Sequence, residues 1–180
     1  MALNKKNKER KKKIIDYLCS RVEDQDTSPS ILQLCLTTAC QLNCSYCKMG
    51  MISPPRTMSL STLKKSIDFL LTSRADVITF QLFGGEPLLQ WDLVRKGIEY
   101  FRQKSRNRKK TYEVSLTTNA VLLTGEKINF FKNAGVDFDI VFSFDGVKKT
   151  QNANRPPFRK ALAGRYFNQI IRNLKELIAS

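Results

Sequence analysis

The chain has 180 residues, 42% of them hydrophobic, enough for one domain with a core of ordinary size. No apolar run approaches the ~18 residues of a transmembrane candidate, so a membrane-spanning role is not expected. There are 31 Lys and Arg against 16 Asp and Glu, a net charge of +15, and no histidine, so any general acid or base must be Asp, Glu, Lys, Tyr or Cys.

In chain order, residues 1–30 read as a basic N-terminal extension, with seven bases and one acid in residues 1–13 and Cys19 in a helix-like stretch. The first strand is predicted at 31–37, where Cys35 reads as a small core residue. A loop follows that carries Cys40, Cys44 and Cys47, spaced C-x3-C-x2-C, and Pro54-Pro55. Three close thiolates suit an iron–sulfur cluster, because soft thiolate is the usual ligand for cluster iron. A [4Fe–4S] cube normally takes four cysteines, so three would leave one iron open. Zinc is the alternative, but it usually takes four Cys or His ligands, commonly in two pairs. This chain has no second pair. A disulfide scaffold fits poorly, since five cysteines is an odd number and no apolar leader precedes them. Reduced thiols and a cytoplasmic location are expected.

A helix is predicted at 59–73, with Leu60, Leu63, Ile67, Leu70 and Leu71 on one stripe. A strand at 76–83 runs into Gly84-Gly85-Glu86-Pro87. The next helix spans 90–104, and the loop 102–110 holds six bases and no acid. The two basic segments read either as a face for nucleic acid or an acidic peptide, or as a solvated tail and loop. The second reading is favoured, since no aromatic residues interleave for base stacking. A strand at 111–118 ends in Thr117-Thr118-Asn119-Ala120. A helix at 125–134 is expected to be capped by Thr124 and stopped by Gly135. The fourth strand, 138–144, leads into Ser143-Phe144-Asp145-Gly146, and a last helix spans 164–179. Strands alternating with helices imply right-handed βαβ units and a parallel sheet. In such sheets ligands bind at the carboxyl ends of the strands, where all four motifs fall.

These motifs, in this order and on successive strands, resemble the radical S-adenosylmethionine (radical SAM) family. The resemblance runs over about residues 31–179 and is closest to the peptide-modifying branch of sulfatase-maturating enzymes and ribosomal-peptide maturases. It implies an α/β fold, a parallel (βα)4 portion of a partial TIM-type barrel, in a domain spanning 31–180. It implies a [4Fe–4S] cluster on Cys40, Cys44 and Cys47, with S-adenosylmethionine at the open iron. Tyr46 would lie near the adenine. Gly84 and Gly85 would let backbone approach the methionine end, with Pro87 fixing the turn, and Glu86 would accept from its ammonium group. Asn119, Ser143 and Asp145 would face the ribose or carboxylate, and Arg155 would lie near the carboxylate. The implied activity is reductive cleavage to a 5′-deoxyadenosyl radical, fed by a low-potential electron donor and acting on a peptide or protein.

The chain departs from the family in places. Ala120 stands where glycine is commoner, and Gln151-Asn152 replaces a frequent His-Asp pair. Four βα units are visible where the family's core has six. The strand at 138–144 is therefore expected to be an open edge, apolar on both faces, that pairs with a complementing chain or with itself. The alternative reading is a truncated or non-catalytic module that binds a partner through this edge or its basic face.

Overall fold

Four strands, β1 (Ile31–Thr37), β2 (Val77–Gly84), β3 (Thr111–Thr118) and β4 (Asp137–Phe142), lie side by side in the order 1-2-3-4, all parallel. This computed structural model describes residues 28–105 and 110–179, with 12, 13 and 16. Cys19, most of the N-terminal extension and residues 106–109 of the basic loop lie outside the described residues. Parallel neighbours need a crossover, and helices α1 (Leu60–Leu70), α2 (Trp91–Ser105) and α3 (Gly125–Lys132) supply three of them. The fold is the expected one: α/β, four consecutive βα units of a partial barrel.

The side-chain period of two gives the sheet two different faces. Leu34, Leu36, Ile78, Phe80, Leu82, Val114 and Leu116 are buried in one core with Leu63, Ile67, Ile98 and Phe101 of the helices. The opposite face carries a polar row across its middle. Register places Gln33, Gln81, Ser115 and Asp139 in one row across all four strands. Cys35 belongs to this second face and is only half-buried, which corrects its reading as a core residue.

The observed elements differ from expectation in instructive ways. Helix α1 starts as predicted, with the Ser59 hydroxyl accepting from Thr62 N–H at 3.0 Å, but stops at Leu70. Thr124 occupies the N-cap position of α3 without a side-chain cap bond, and α3 ends at Lys132, before Gly135 turns the chain with φ +68°. Strand β4 ends at Phe142, after which the chain turns through Gly146 at φ +89°. Its edge carries apolar residues on both faces, Phe138, Ile140 and Phe142 on one and the exposed Val141 on the other. Asp137 and Asp139 share the face of Val141 and are exposed, and charge on an edge strand is one way it is blunted. Helix α4 (Lys148–Asn154) was not expected, because its sequence has no apolar stripe. Helix α5 (Ala163–Ala179) buries Ile170, Asn173 and Leu174.

Candidate cofactor site

The cysteine loop is held from two sides. On one, the end of β1 is joined to the end of β2: Gly85 N–H donates to Thr37 O at 2.7 Å and Glu86 N–H to Ala39 O at 2.8 Å. The glycines are what permit this approach. A Cβ on Gly84 would sit 2.4 Å from Thr37 O, and one on Gly85 2.3 Å from Ala39 O. Gly84 also has φ +142°, where only glycine is at ease. On the other side, the segment after α4 runs antiparallel to the loop. Asn43 N–H donates to Pro156 O at 2.7 Å, Ser45 N–H to Asn154 O at 2.9 Å, and Leu42 bridges to Pro157.

Between these supports lies a cavity of about 180 Å³. The loop contributes Cys40, Cys44, Tyr46 and Cys47 to its wall, and the strand ends contribute Gly84, Gly85, Asn119 and Ser143. Arg155 reaches in from the end of α4. Nine of the twelve residues singled out in the sequence thus share one cavity. The other three stand behind it.

Asp145 is one of those three. It accepts from Arg155 Nε at 2.8 Å, and the guanidinium lies over the Tyr46 ring, 5.3 Å from its centroid. Burial works to raise the Asp145 pKa, but the bond and charge of Arg155 prevail and hold it below the ordinary value. Gln151 was missed by sequence reasoning. Buried on α4, it accepts the Asp145 N–H at 2.8 Å and so fixes the turn that presents Asp145.

Glu86 and Pro87 are the other two. Glu86 is fully buried and does not line the cavity, where the resemblance implies a direct contact. Its Oε1 accepts from Leu88 N–H at 3.0 Å and from the Thr118 hydroxyl at 2.8 Å. Its Oε2 accepts from Asn119 N–H at 2.9 Å. The carboxylate is a tie between the ends of β2 and β3. Burial raises its pKa, and the three donors oppose that rise. Pro87 opens the 3-10 turn Pro87–Gln90, where its missing N–H costs nothing.

The thiols differ among themselves. Burial pushes Cys40 up to about 11, against the pull of the Leu42 N–H. Cys44 is also raised by burial, with Arg155 opposing, and Cys47 is exposed. Among the described residues, no three His, Cys, Asp or Glu side chains close round a single-ion point. A zinc site of the usual kind needs four ligands at that range. Three thiols on the wall of one cavity are a donor set that fits a thiolate-held cluster.

The family model for the Radical SAM superfamily matches residues 34–180. The chain belongs to the radical SAM superfamily. Among curated relatives, a GTP 3′,8-cyclase of Synechococcus sp. (strain CC9605) is 32% identical over 156 residues, 83% of this chain and 43% of that protein. The radical SAM cyclopropyl synthase TigE of Paramaledivibacter caminithermalis is 22% identical over 73% of this radical SAM chain and 30% of its own length. The structure of native anSMEcpe with bound AdoMet and Cp18Cys peptide superposes with a TM-score of 0.69 at 23% identity, over 84% of this chain and 40% of that one. That likeness speaks for the fold. The chain spans less than half the length of these radical SAM relatives. Among the described residues, no helix is long and apolar enough to cross a membrane.

Proposed function

We propose that this radical SAM chain binds a [4Fe–4S] cluster through Cys40, Cys44 and Cys47 and S-adenosylmethionine in the adjoining cavity. The single observation that carries this reading is the meeting of the three thiols with Gly84, Gly85, Ser143 and Arg155 round one space at the carboxyl ends of the strands. When bound, the two groups together would supply a 5′-deoxyadenosyl radical able to take hydrogen from an unactivated C–H bond.

The protein's own residues would bind and orient. Arg155, fixed by Asp145, offers a cation for a carboxylate. The exposed Tyr46 ring offers a flat surface to an adenine. Gly84 and Gly85 present backbone to the cavity without side chains in the way. Glu86 holds the β3 end in place from behind. Membership of a superfamily that includes TigE, and a fold like that of anSMEcpe, which is seen with a peptide, support a peptide or protein substrate. A low-potential electron donor and a reducing compartment such as the cytoplasm complete the reading.

Anaerobic reconstitution with iron and sulfide tests it. The expected result is about four irons per chain and S-adenosylmethionine-dependent release of 5′-deoxyadenosine under reduction. Replacing Cys40, Cys44 and Cys47 together by Ala should abolish iron uptake, while Cys19→Ala and Cys35→Ala should not. Stoichiometric zinc with no reconstitutable cluster would overturn the reading.

A further inference from the structure

Asn119 is the first residue beyond β3, and its side chain is fully engaged. Its backbone N–H is held by Glu86 Oε2 at 2.9 Å. Its Oδ1 accepts from Val121 N–H at 3.1 Å and from Gln41 Nε2 at 3.0 Å. Its Nδ2 lies 3.6 Å from Cys40 Sγ. The amide orientation is not arbitrary. The Val121 N–H can only donate, so the oxygen must face it, and the nitrogen is left for the sulfur.

The turn that makes this possible is itself supported. Ala120 adopts φ +61°, in the left-handed region that side chains disfavour, and so brings Val121 N–H back to Asn119. Asn173, buried on α5, donates to Ala120 O at 2.7 Å and to Val121 O at 3.2 Å. Cys40 Sγ also accepts from Leu42 N–H at 3.4 Å. Cys40 therefore sits between two N–H donors. Cys44 has a bond from its own backbone N–H.

We propose that Asn119 is a positioning residue for the Cys40 ligand, draining charge from its sulfur, and not a contact to the ribose or carboxylate of the cofactor. The inference rests on the cluster reading above. An N–H donor stabilises negative charge on a thiolate sulfur. The reduced cluster carries one more electron than the oxidised one, so the donor favours reduction and raises the potential. Removing it must shift the potential to more negative values.

The test uses two variants of the full chain, each reconstituted anaerobically. Asn119→Asp keeps an oxygen for Val121 and Gln41 but puts an acceptor in place of the donor to sulfur. Asn119→Ser keeps a short hydroxyl for the turn and lacks the amide N–H that reaches the sulfur. Iron content first establishes cluster loading, and an EPR-monitored redox titration then gives the midpoint potential. Both variants should load iron like the wild type and titrate at more negative potential. S-adenosylmethionine should bind Asn119→Ser with a Kd within threefold of wild type. An unchanged potential in iron-loaded variants overturns the assignment and leaves the cluster reading standing. A tenfold or greater weakening of S-adenosylmethionine binding to Asn119→Ser also overturns it, by showing a cofactor contact. A wild-type chain that takes up no iron overturns both together.

Discussion

Glu86→Ala is the substitution whose cost follows most directly from the structure. The wild-type carboxylate is fully buried and accepts three hydrogen bonds, from Leu88 N–H, the Thr118 hydroxyl and Asn119 N–H. Truncation leaves two backbone N–H groups buried without an acceptor, at about 1–3 kcal/mol each. Thr118 suffers less, because its hydroxyl oxygen still accepts from Ala120 N–H. Relief of the buried charge offsets part of the loss, and a net destabilisation of about 3 kcal/mol is expected. For a domain of this size that lowers Tm by roughly 6–12 °C. Thermal unfolding of the metal-free, reduced chain by far-UV circular dichroism measures it. The pH dependence gives a second check. The folded pKa of Glu86 is raised above its ordinary value, so its favourable share is complete below the unfolded pKa and is lost as pH rises through the folded one. The stability of wild type relative to Glu86→Gln should therefore grow as pH is lowered toward the unfolded carboxylate range. A Tm for Glu86→Ala within 2 °C of wild type, taken as about 1 kcal/mol or less, would refute the argument that this carboxylate ties β2 to β3.

Three other outcomes are expected. Gly85→Ala forces a Cβ to 2.3 Å from Ala39 O, so it should cost about 3 kcal/mol or more and reduce iron uptake; full uptake with wild-type Tm would contradict the close approach of the two strand ends. Asn173→Leu strips the donor from the Ala120 and Val121 carbonyls and should cost about 2 kcal/mol, read as a chemical-denaturation midpoint. The β4 edge exposes Val141 and Phe142, so the chain should self-associate by light scattering, and Val141→Lys should shift it toward monomer; a strictly monomeric wild type would count against an adhesive edge.

Much of this was legible in the sequence because it is written in local patterns. The β1 and β3 boundaries agree with the apolar runs, since each run is bounded by turn residues. Cys40, Cys44 and Cys47 lie within eight residues of one another, so their grouping needed no tertiary knowledge. What was not legible depends on contacts between distant segments. Helix α4 has the sequence KKTQNAN, which gives periodicity nothing to register. The inward turn of Glu86 is decided by Thr118 and Asn119, more than 30 residues away. Asn173 is a polar position on an amphipathic helix, yet it is buried and clamps the Asn119 turn. The glycines were expected to admit a ligand, and they first admit the backbone of β1.

The antiparallel clamp on the cysteine loop has a consequence for how the protein is made. Residues 41–45 receive their backbone partners only when 154–158 are available, more than 100 residues later in the chain. At a synthesis rate of about 5–20 residues per second, the thiols leave the ribosome some 5–20 s before the segment that restrains them. Through that interval Cys40, Cys44 and Cys47 are a triplet braced from one side only, and the stretch of chain that closes the other side is still unmade. Iron delivery during synthesis would meet a pliable loop, whereas delivery afterwards would meet one already strapped down.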